Sequence, residues 1–281
     1  MIDFQKYQPH PSLAIYIDSY FVIRTGMYNK KSKEIIGSFL NFSNHPQGTI
    51  DMMFSLHGQG IQLTTNQNDG QNLSDIFLMA QQEGKFDIKF MPDSYIFGIV
   101  FYSESFSKFL KLPLSEITNG GLLLKDELDK KYLELYDKLK NHSNSNDMVV
   151  TVNKFIVGEL ARFEHTFGKF DKLIRYIRAT NGQMSIEQLS SLSNMSTRSL
   201  QRKMKEVTGV SPKSYSRTVR FKYAINLIIL QQEVDWHDIL FECGYYDQAH
   251  FIKEFKFHTG YTPSEFIKNG GDTLSFFFSK E

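Results

Sequence analysis

The sequence predicts an α+β chain of two domains: an N-terminal antiparallel β-barrel or sandwich with flanking helices, then an all-α C-terminal domain. Two observations predict this division. The first 102 residues contain short runs rich in β-branched and aromatic residues, as strands are. The last third instead repeats one helical pattern at an offset of 51 positions. At 281 residues the chain is also longer than one typical domain.

The N-terminal runs are separated by turn-forming clusters such as His45-Pro46-Gln47-Gly48 and Pro92-Asp93. No helical periodicity lies between them, which favours a small antiparallel barrel or sandwich over an alternating α/β fold. The predicted strands cover residues 13–23, 49–56, 60–65, 75–80, 86–91 and 94–102.

At Ser103 the periodicity becomes helical, and this serine caps a predicted helix that Pro113 ends. Two amphipathic helices follow at 126–139 and 148–162, on either side of the polar break NHSNSN. Paired helices in this place either cover the sheet or form a dimer seam. We expect a β-rich domain over 1–125, a helical connector over 126–168, a helical domain over 169–270 and a tail over 271–281.

The C-terminal repeat preserves caps, apolar positions and turn residues. Its first copy runs from Ser185 to Gly209 and its second from Trp236 to Gly260, and a Ser-Pro or Thr-Pro pair follows each glycine closely. A repeat that keeps its capping and turn residues as well as its apolar core positions is one supersecondary unit that occurs twice.

The first copy has the pattern of a helix-turn-helix. A short helix begins at Ile186, a tight turn follows at Asn194, and Ser196 caps a second helix with a buried stripe at Leu200 and Met204. Arginine can pair bidentately with guanine and glutamine with adenine, while Lys and Arg neutralise phosphate. The candidate DNA-contacting residues of this unit are Thr197, Arg198, Gln201, Arg202 and Lys205.

The second copy carries fewer side chains that can recognise bases. The outward face of its second helix includes Ala249 and Ile252, which offer only apolar contact with a thymine methyl. Residues 169–222 hold twelve Lys or Arg against three acids, whereas 223–266 hold two Lys against seven acids. We therefore predict that the first unit supplies most sequence reading and most ionic affinity. The second unit's candidates are Gln248, Ala249, His250, Lys253 and Lys256.

A long helix is predicted between the two units. Ser211 caps it, Pro212 occupies its first position, and it runs without a breaker to about Leu230. Its length of about 30 Å at about 1.5 Å per residue suits two recognition helices that enter successive major grooves about 34 Å apart. Its basic residues Lys213, Arg217, Arg220 and Lys222 are expected beside the DNA backbone.

These motifs resemble the DNA-binding domain of AraC/XylS-type transcription regulators. The carriers are ILFECGYYDQAHFIKEFKFHTGYTPSEF at 239–266 and STRSLQRKMKEVTGVSPKSY at 196–215. The resemblance implies a sequence-specific DNA-binding regulator in which the helix after Ser196 enters one major groove and the helix after Asp247 enters the next. Arg198, Gln201 and Arg202 are then expected near bases.

The N-terminal region resembles, more loosely, the β-barrel regulatory domain of some of these regulators. The carriers are HPSLAIYIDSYF, PQGTIDMMFSL and FGIVFYSESFSKFLKLPLSEITN. Taken together, the two resemblances imply double-stranded DNA as the partner. They leave open whether the protein binds a small-molecule effector, forms a homodimer or contacts RNA polymerase, and whether it activates or represses transcription. The alternative is a ligand-independent regulator controlled by its abundance or by a protein partner.

An enzyme fused to a DNA-binding domain is the third alternative, and the sequence argues against it. His10, His45 and His57, the histidines before residue 103, form no paired metal-ligand motif with a nearby acid. No phosphate loop or nucleophile elbow is present, so we expect no catalytic residue, no metal and no cofactor. One cysteine, no secretory start and no run of about 18 apolar residues indicate a cytoplasmic protein without membrane contact. The resemblance to AraC/XylS-type regulators implies a bacterial one.

Overall fold

The computed structural model describes residues 2–26, 41–44, 48–64, 70–73, 75–81, 86–106, 109, 114–118, 121–123, 129–162, 167–231 and 234–268. The strands are β1 (Ile2–Tyr7), β2 (Ile17–Thr25), β3 (Asn41–Asn44), β4 (Thr49–His57), β5 (Ile61–Thr64), β6 (Gln71–Leu73), β7 (Ile76–Met79), β8 (Phe86–Phe90), β9 (Tyr95–Tyr102) and β10 (Gly121–Leu123). They form a six-stranded sheet in the order β1-β2-β9-β4-β7-β10 and a four-stranded sheet in the order β3-β8-β5-β6. All pairings are antiparallel among these described strands, which confirms the predicted fold class.

Both faces of the six-stranded sheet are buried. On β2, Phe21 and Ile23 face a core shared with the smaller sheet, whereas Tyr20 and Val22 face a second core beneath helices. Successive side chains of a strand point to opposite faces, so a sheet covered on both sides requires continuous apolar runs. This explains why the central strands lack a polar alternation.

The helices between the sheets and the repeat cover the larger sheet. Tyr132, Leu135 and Met148 are buried in the core against it, and the Tyr132 hydroxyl donates to the Phe109 carbonyl at 2.8 Å. Val150 on the outer side is about half exposed. The dimer alternative stays a prediction. These helices are α1 (Ser103–Phe106), α2 (Leu114–Ile117), α3 (Lys130–Lys140) and α4 (Ser145–Arg162).

Several boundaries differ from the sequence prediction. The run from Leu13 becomes a strand only at Ile17, because Pro11–Leu13 forms a 3-10 turn with proline in its first position. Ser103 is the first residue of its helix rather than the predicted cap, and its hydroxyl donates to the Gly48 carbonyl at 2.8 Å. That helix is described only to Phe106, and most of the run up to Pro113 lies outside the described residues. Residues 271–281 also lie outside them. Strands β1, β3, β6 and β10 were not predicted, since they are short or mostly polar edge segments.

Within the described residues the C-terminal domain folds into helices α5 to α10, followed by a further short helical segment over 263–268. Each recognition helix ends at a glycine in the left-handed conformation, Gly209 with φ 83° and Gly260 with φ 79°. Such a residue closes a helix at little steric cost. The helices are α5 (Lys169–Ala179), α6 (Ile186–Ser193), α7 (Thr197–Thr208), α8 (Pro212–Leu230), α9 (Trp236–Glu242) and α10 (Gln248–Thr259).

The first helix-turn-helix unit packs directly against the N-terminal domain. Arg178 of α5 donates to the buried Glu104 carboxylate at 2.6 Å, and its guanidinium lies 3.9 Å from the centre of the Tyr102 ring. At the end of α7, the Thr118 hydroxyl donates to the Gly209 carbonyl at 3.0 Å. The N-terminal domain is therefore connected to the base of the first recognition helix.

Candidate nucleic-acid interface

The local sequence sets the orientation of the first recognition helix. Asn194 takes a left-handed conformation at φ 53°, which turns the chain sharply after α6. The Ser196 hydroxyl then accepts the Ser199 amide hydrogen at 3.3 Å and caps α7. Cap and turn thus follow the sequence prediction.

Helix α7 divides cleanly into a buried and an exposed face. Leu200 and Met204 are fully buried in the core of this unit. The opposite face is uncovered by the N-terminal domain and, in the part of the chain described, no carboxylate pairs with its three cations. It can therefore meet phosphates and base edges without breaking an internal contact. All five sequence-predicted residues of this unit are exposed: Thr197, Arg198, Gln201, Arg202 and Lys205.

The second recognition helix is built in the same way. The Asp247 carboxylate accepts the His250 amide hydrogen at 2.7 Å and caps α10, after a turn at Gly244 with φ 65°. His250 differs from the rest of the predicted set, because its ring is turned toward the protein. The exposed predicted residues of this unit are Gln248, Ala249, Lys253 and Lys256.

Two residues that sequence reasoning missed orient His250. Its Nε2 lies 3.5 Å from Oε1 of Glu254, one helical turn later, and its ring meets the Tyr245 ring edge-on at 5.5 Å. Burial, and then the nearby Glu254 carboxylate, raise the pKa of the Tyr245 hydroxyl. The spacing of four residues between His250 and Glu254 is the only sequence signal for this pair.

The basic residues of α8 mostly bind within the protein, contrary to the expectation that they lie beside DNA. Arg217 donates to Glu254 at 2.7 Å, Arg220 donates to the Gly182 carbonyl at 2.9 Å, and Lys222 lies 3.7 Å from Asp18. Lys213 is exposed. Counting positive charges along the sequence therefore overstates how many remain for phosphates.

A small cluster of charge joins α8 to the sheet domain. Burial and the neighbouring Asp18 raise the pKa of Asp51 to about 7, although Lys222 opposes them. Burial acts in the same direction on Asp18, but Lys222, Lys6 and a hydrogen bond from Ser19 outweigh it and lower its pKa. Oδ1 of Asp51 is shielded from solvent and has no hydrogen-bond partner in the described structure. Its negative charge is therefore costly.

Comparison with known proteins identifies the type of domain that has this geometry. A helix-turn-helix domain family model matches residues 189–269. Two curated transcriptional activators named RhaS are also similar to this chain: one from Klebsiella pneumoniae is 32% identical over 88 residues, and one from Escherichia fergusonii is 30% identical over 110 residues. Residues 189–269 therefore form a helix-turn-helix DNA-binding domain of the AraC/XylS type. The chain spans 31% and 39% of the length of those two relatives.

The rest of the chain has its own matches. A family model described as a domain of unknown function covers residues 5–122. Apo ToxT from Vibrio cholerae shares the two-domain fold, with a TM-score of 0.51 at 11% identity over 93% of this chain and 98% of that one. At that identity the likeness shows the fold alone.

Three further structural findings concern membrane spans, metal ligands and the cysteine. None of the described helices is both long and apolar enough to cross a bilayer. Among described residues there is also no group of three or more His, Cys, Asp or Glu side chains arranged to hold a metal ion. Cys243 is fully buried, and burial raises the pKa of its thiol to about 12, which keeps it protonated as a core residue.

Proposed function

We propose that this regulator binds duplex DNA by inserting α7 and α10 into adjacent major grooves on one face of the double helix. The observation that carries this proposal is the exposed face of α7, where Arg198, Gln201 and Arg202 lie opposite the buried stripe. The 19-residue helix α8 between the units is about 28 Å long at about 1.5 Å per residue, which is close to the length of one turn of DNA.

Selection of bound duplexes from a random pool, followed by hydroxyl-radical footprinting, tests this proposal. The expected result is two protected segments on one face of the DNA, about 10 base pairs apart. Protection of a single segment, or a failure to enrich any sequence, contradicts it.

We further propose that the first unit supplies most sequence reading. Its exposed face carries two Arg and one Gln, which recognise guanine and adenine, whereas the second unit offers Lys253 and Lys256 for phosphate and only Gln248 and Ala249 for bases. A base-by-base substitution scan of the selected site should place the larger affinity losses, about 1–3 kcal/mol per base pair, under the first unit. Equal losses under both units contradict the asymmetry.

The N-terminal domain is proposed to control how the first unit is presented to DNA. Support comes from the Glu104–Arg178 ion pair and from the Thr118–Gly209 hydrogen bond, which attach that unit to the sheet domain while leaving its reading face exposed. Control would then act through orientation rather than occlusion. A small-molecule effector or a homodimer contact is the proposed input.

Thermal-shift screening of the full chain against metabolites tests for the effector, and deletion of the N-terminal domain tests for control. We expect a ligand that raises the melting temperature, and we expect deletion to alter regulation. If nothing shifts the melting temperature and deletion leaves regulation unchanged, the ligand-independent alternative replaces this proposal.

Activation is the proposed direction of regulation, because both curated relatives are named transcriptional activators. RNA polymerase is then the proposed protein partner. Transcription in vitro from a promoter that carries the selected site should rise when the chain is added to purified polymerase. A fall would indicate repression.

A further inference from the structure

A largely buried ion pair joins the long helix to the second recognition helix. Arg217 of α8 donates through Nε to Oε1 of Glu254 at 2.7 Å, and the side chains of Arg217 and Glu254 are 29% and 6% exposed. The Arg217 guanidinium also lies 4.5 Å from the centre of the Phe257 ring, one turn further along α10. Two attachments to successive turns restrict both the tilt and the rotation of α10 on α8.

The first unit has no equivalent of this pair. The position that corresponds to Glu254 in the repeat is Lys203, which donates to Glu206 of its own helix at 2.7 Å. Both of those side chains are 40% exposed or more, and their contact connects no second element. The pair is thus specific to the junction between α8 and the second unit.

A buried pair of this kind is poorly explained by stability alone. Withdrawing a carboxylate and a guanidinium from water costs several kcal/mol, and apolar replacements of similar volume are often at least as stable. What an ion pair adds is a fixed geometry, because the charged groups must meet at one distance and angle. The same Oε1 of Glu254 also lies 3.5 Å from Nε2 of His250, a predicted DNA-contacting residue.

We propose that the Arg217–Glu254 ion pair is a spacing determinant that fixes the angle between α8 and α10 and so sets the distance and phase between the two DNA segments the chain accepts. Both are positioning residues, and the inference rests on the proposed binding of two adjacent grooves. One inserted base pair moves the second segment by about 3.4 Å and rotates it by about 34°. If the ion pair holds the junction between α8 and α10 rigid, α10 cannot move to the displaced segment. Without the ion pair, α10 can move to it.

The experiment uses the full chain and duplexes derived from its selected site, with one or two base pairs inserted or deleted between the protected segments. The wild type should lose at least about tenfold in affinity for each altered spacing, comparable with a mismatched base pair. Glu254→Gln should reduce that penalty to less than about threefold, even if its affinity for the original site falls. Glu206→Gln is the matched control, since it removes the same charge from an exposed pair on α7.

A second variant distinguishes the loss of a fixed helix angle from a loss of folding stability. Arg217→Met/Glu254→Leu replaces both charges by apolar groups of similar size, so it should fold with nearly wild-type stability and still tolerate altered spacing. The proposal is overturned if Glu254→Gln and the double variant discriminate spacing as sharply as the wild type, or if Glu206→Gln relaxes it equally. A wild type that binds no selected duplex, or protects only one segment, instead overturns the proposed function.

Discussion

Removal of Arg178 should expose how firmly the two domains are joined. The Glu104 carboxylate is completely buried, its Oε2 accepts from Arg178 at 2.6 Å, and its Oε1 has no hydrogen-bond partner among the described residues. Arg178→Met keeps much of the side-chain volume over the Tyr102 ring but leaves that carboxylate without a countercharge. Breaking a buried pair in this way costs about 3–5 kcal/mol.

Urea unfolding of the full chain measures this loss. Trp236, the single tryptophan, lies in the second unit, so its fluorescence follows the C-terminal domain while circular dichroism follows both domains. We expect the free energy of unfolding to fall by about 3–5 kcal/mol, or the two signals to separate because the domains part and water reaches Glu104.

Lys172→Met provides the control, since Lys172 is an exposed cation on the same helix. It should change stability by no more than about 0.5 kcal/mol. Arg178→Met/Glu104→Leu should recover most of the loss, because neither charge remains buried. If Arg178→Met behaves like Lys172→Met and leaves the two signals coincident, the interdomain pair does not join the domains.

Two further predictions concern the sheet domain and its charge cluster. Leu135→Ala should destabilise the chain by about 2–5 kcal/mol in the same urea assay, because Leu135 lies in the core beneath α3. Leu133→Ala, on the outer side of that helix, should change stability by at most about 0.5 kcal/mol. Equal effects of the two substitutions would contradict the conclusion that α3 covers the sheet. The raised pKa of Asp51 means that the folded state holds this proton more tightly than the unfolded state, so its stabilising contribution is fully present below about pH 4 and is lost as pH rises toward about 7. Asp51→Asn should therefore gain stability relative to the wild type across that range in unfolding curves at several pH values, and a difference that does not vary with pH would contradict the assignment.

The sequence predicted the repeated unit well because its signals are local. Ser196 and Asp247 cap their helices, and Gly209 and Gly260 end them, through contacts within a few residues of each position. Helical spacing then places Leu200 on the buried side. The strands around residues 49–57 and 95–102 were also recognisable, because a sheet buried on both faces needs continuous apolar runs.

What could not be predicted depends on distant contacts. Arg217 and Lys222 look like DNA-facing cations in the sequence, but their partners Glu254 and Asp18 are brought to them only by tertiary folding. Glu104 likewise reads as an ordinary acid in the first turn of a helix and is buried against another domain. The assignment of particular exposed side chains to base contacts stays a prediction, since their exposure shows only that they are available for contact.

Paired alanine substitution measured across salt concentrations is the most direct test of the division of labour between the two units. Arg198→Ala/Arg202→Ala is compared with Gln248→Ala/Lys253→Ala on the selected site and on a site with altered bases. The first pair should abolish most discrimination between the sites and lower the slope of log affinity against log salt by about 1–2, whereas the second should preserve discrimination and lower the slope by at most about 1. If the second pair costs as much affinity and discrimination as the first, the two units read DNA equally and the account is wrong.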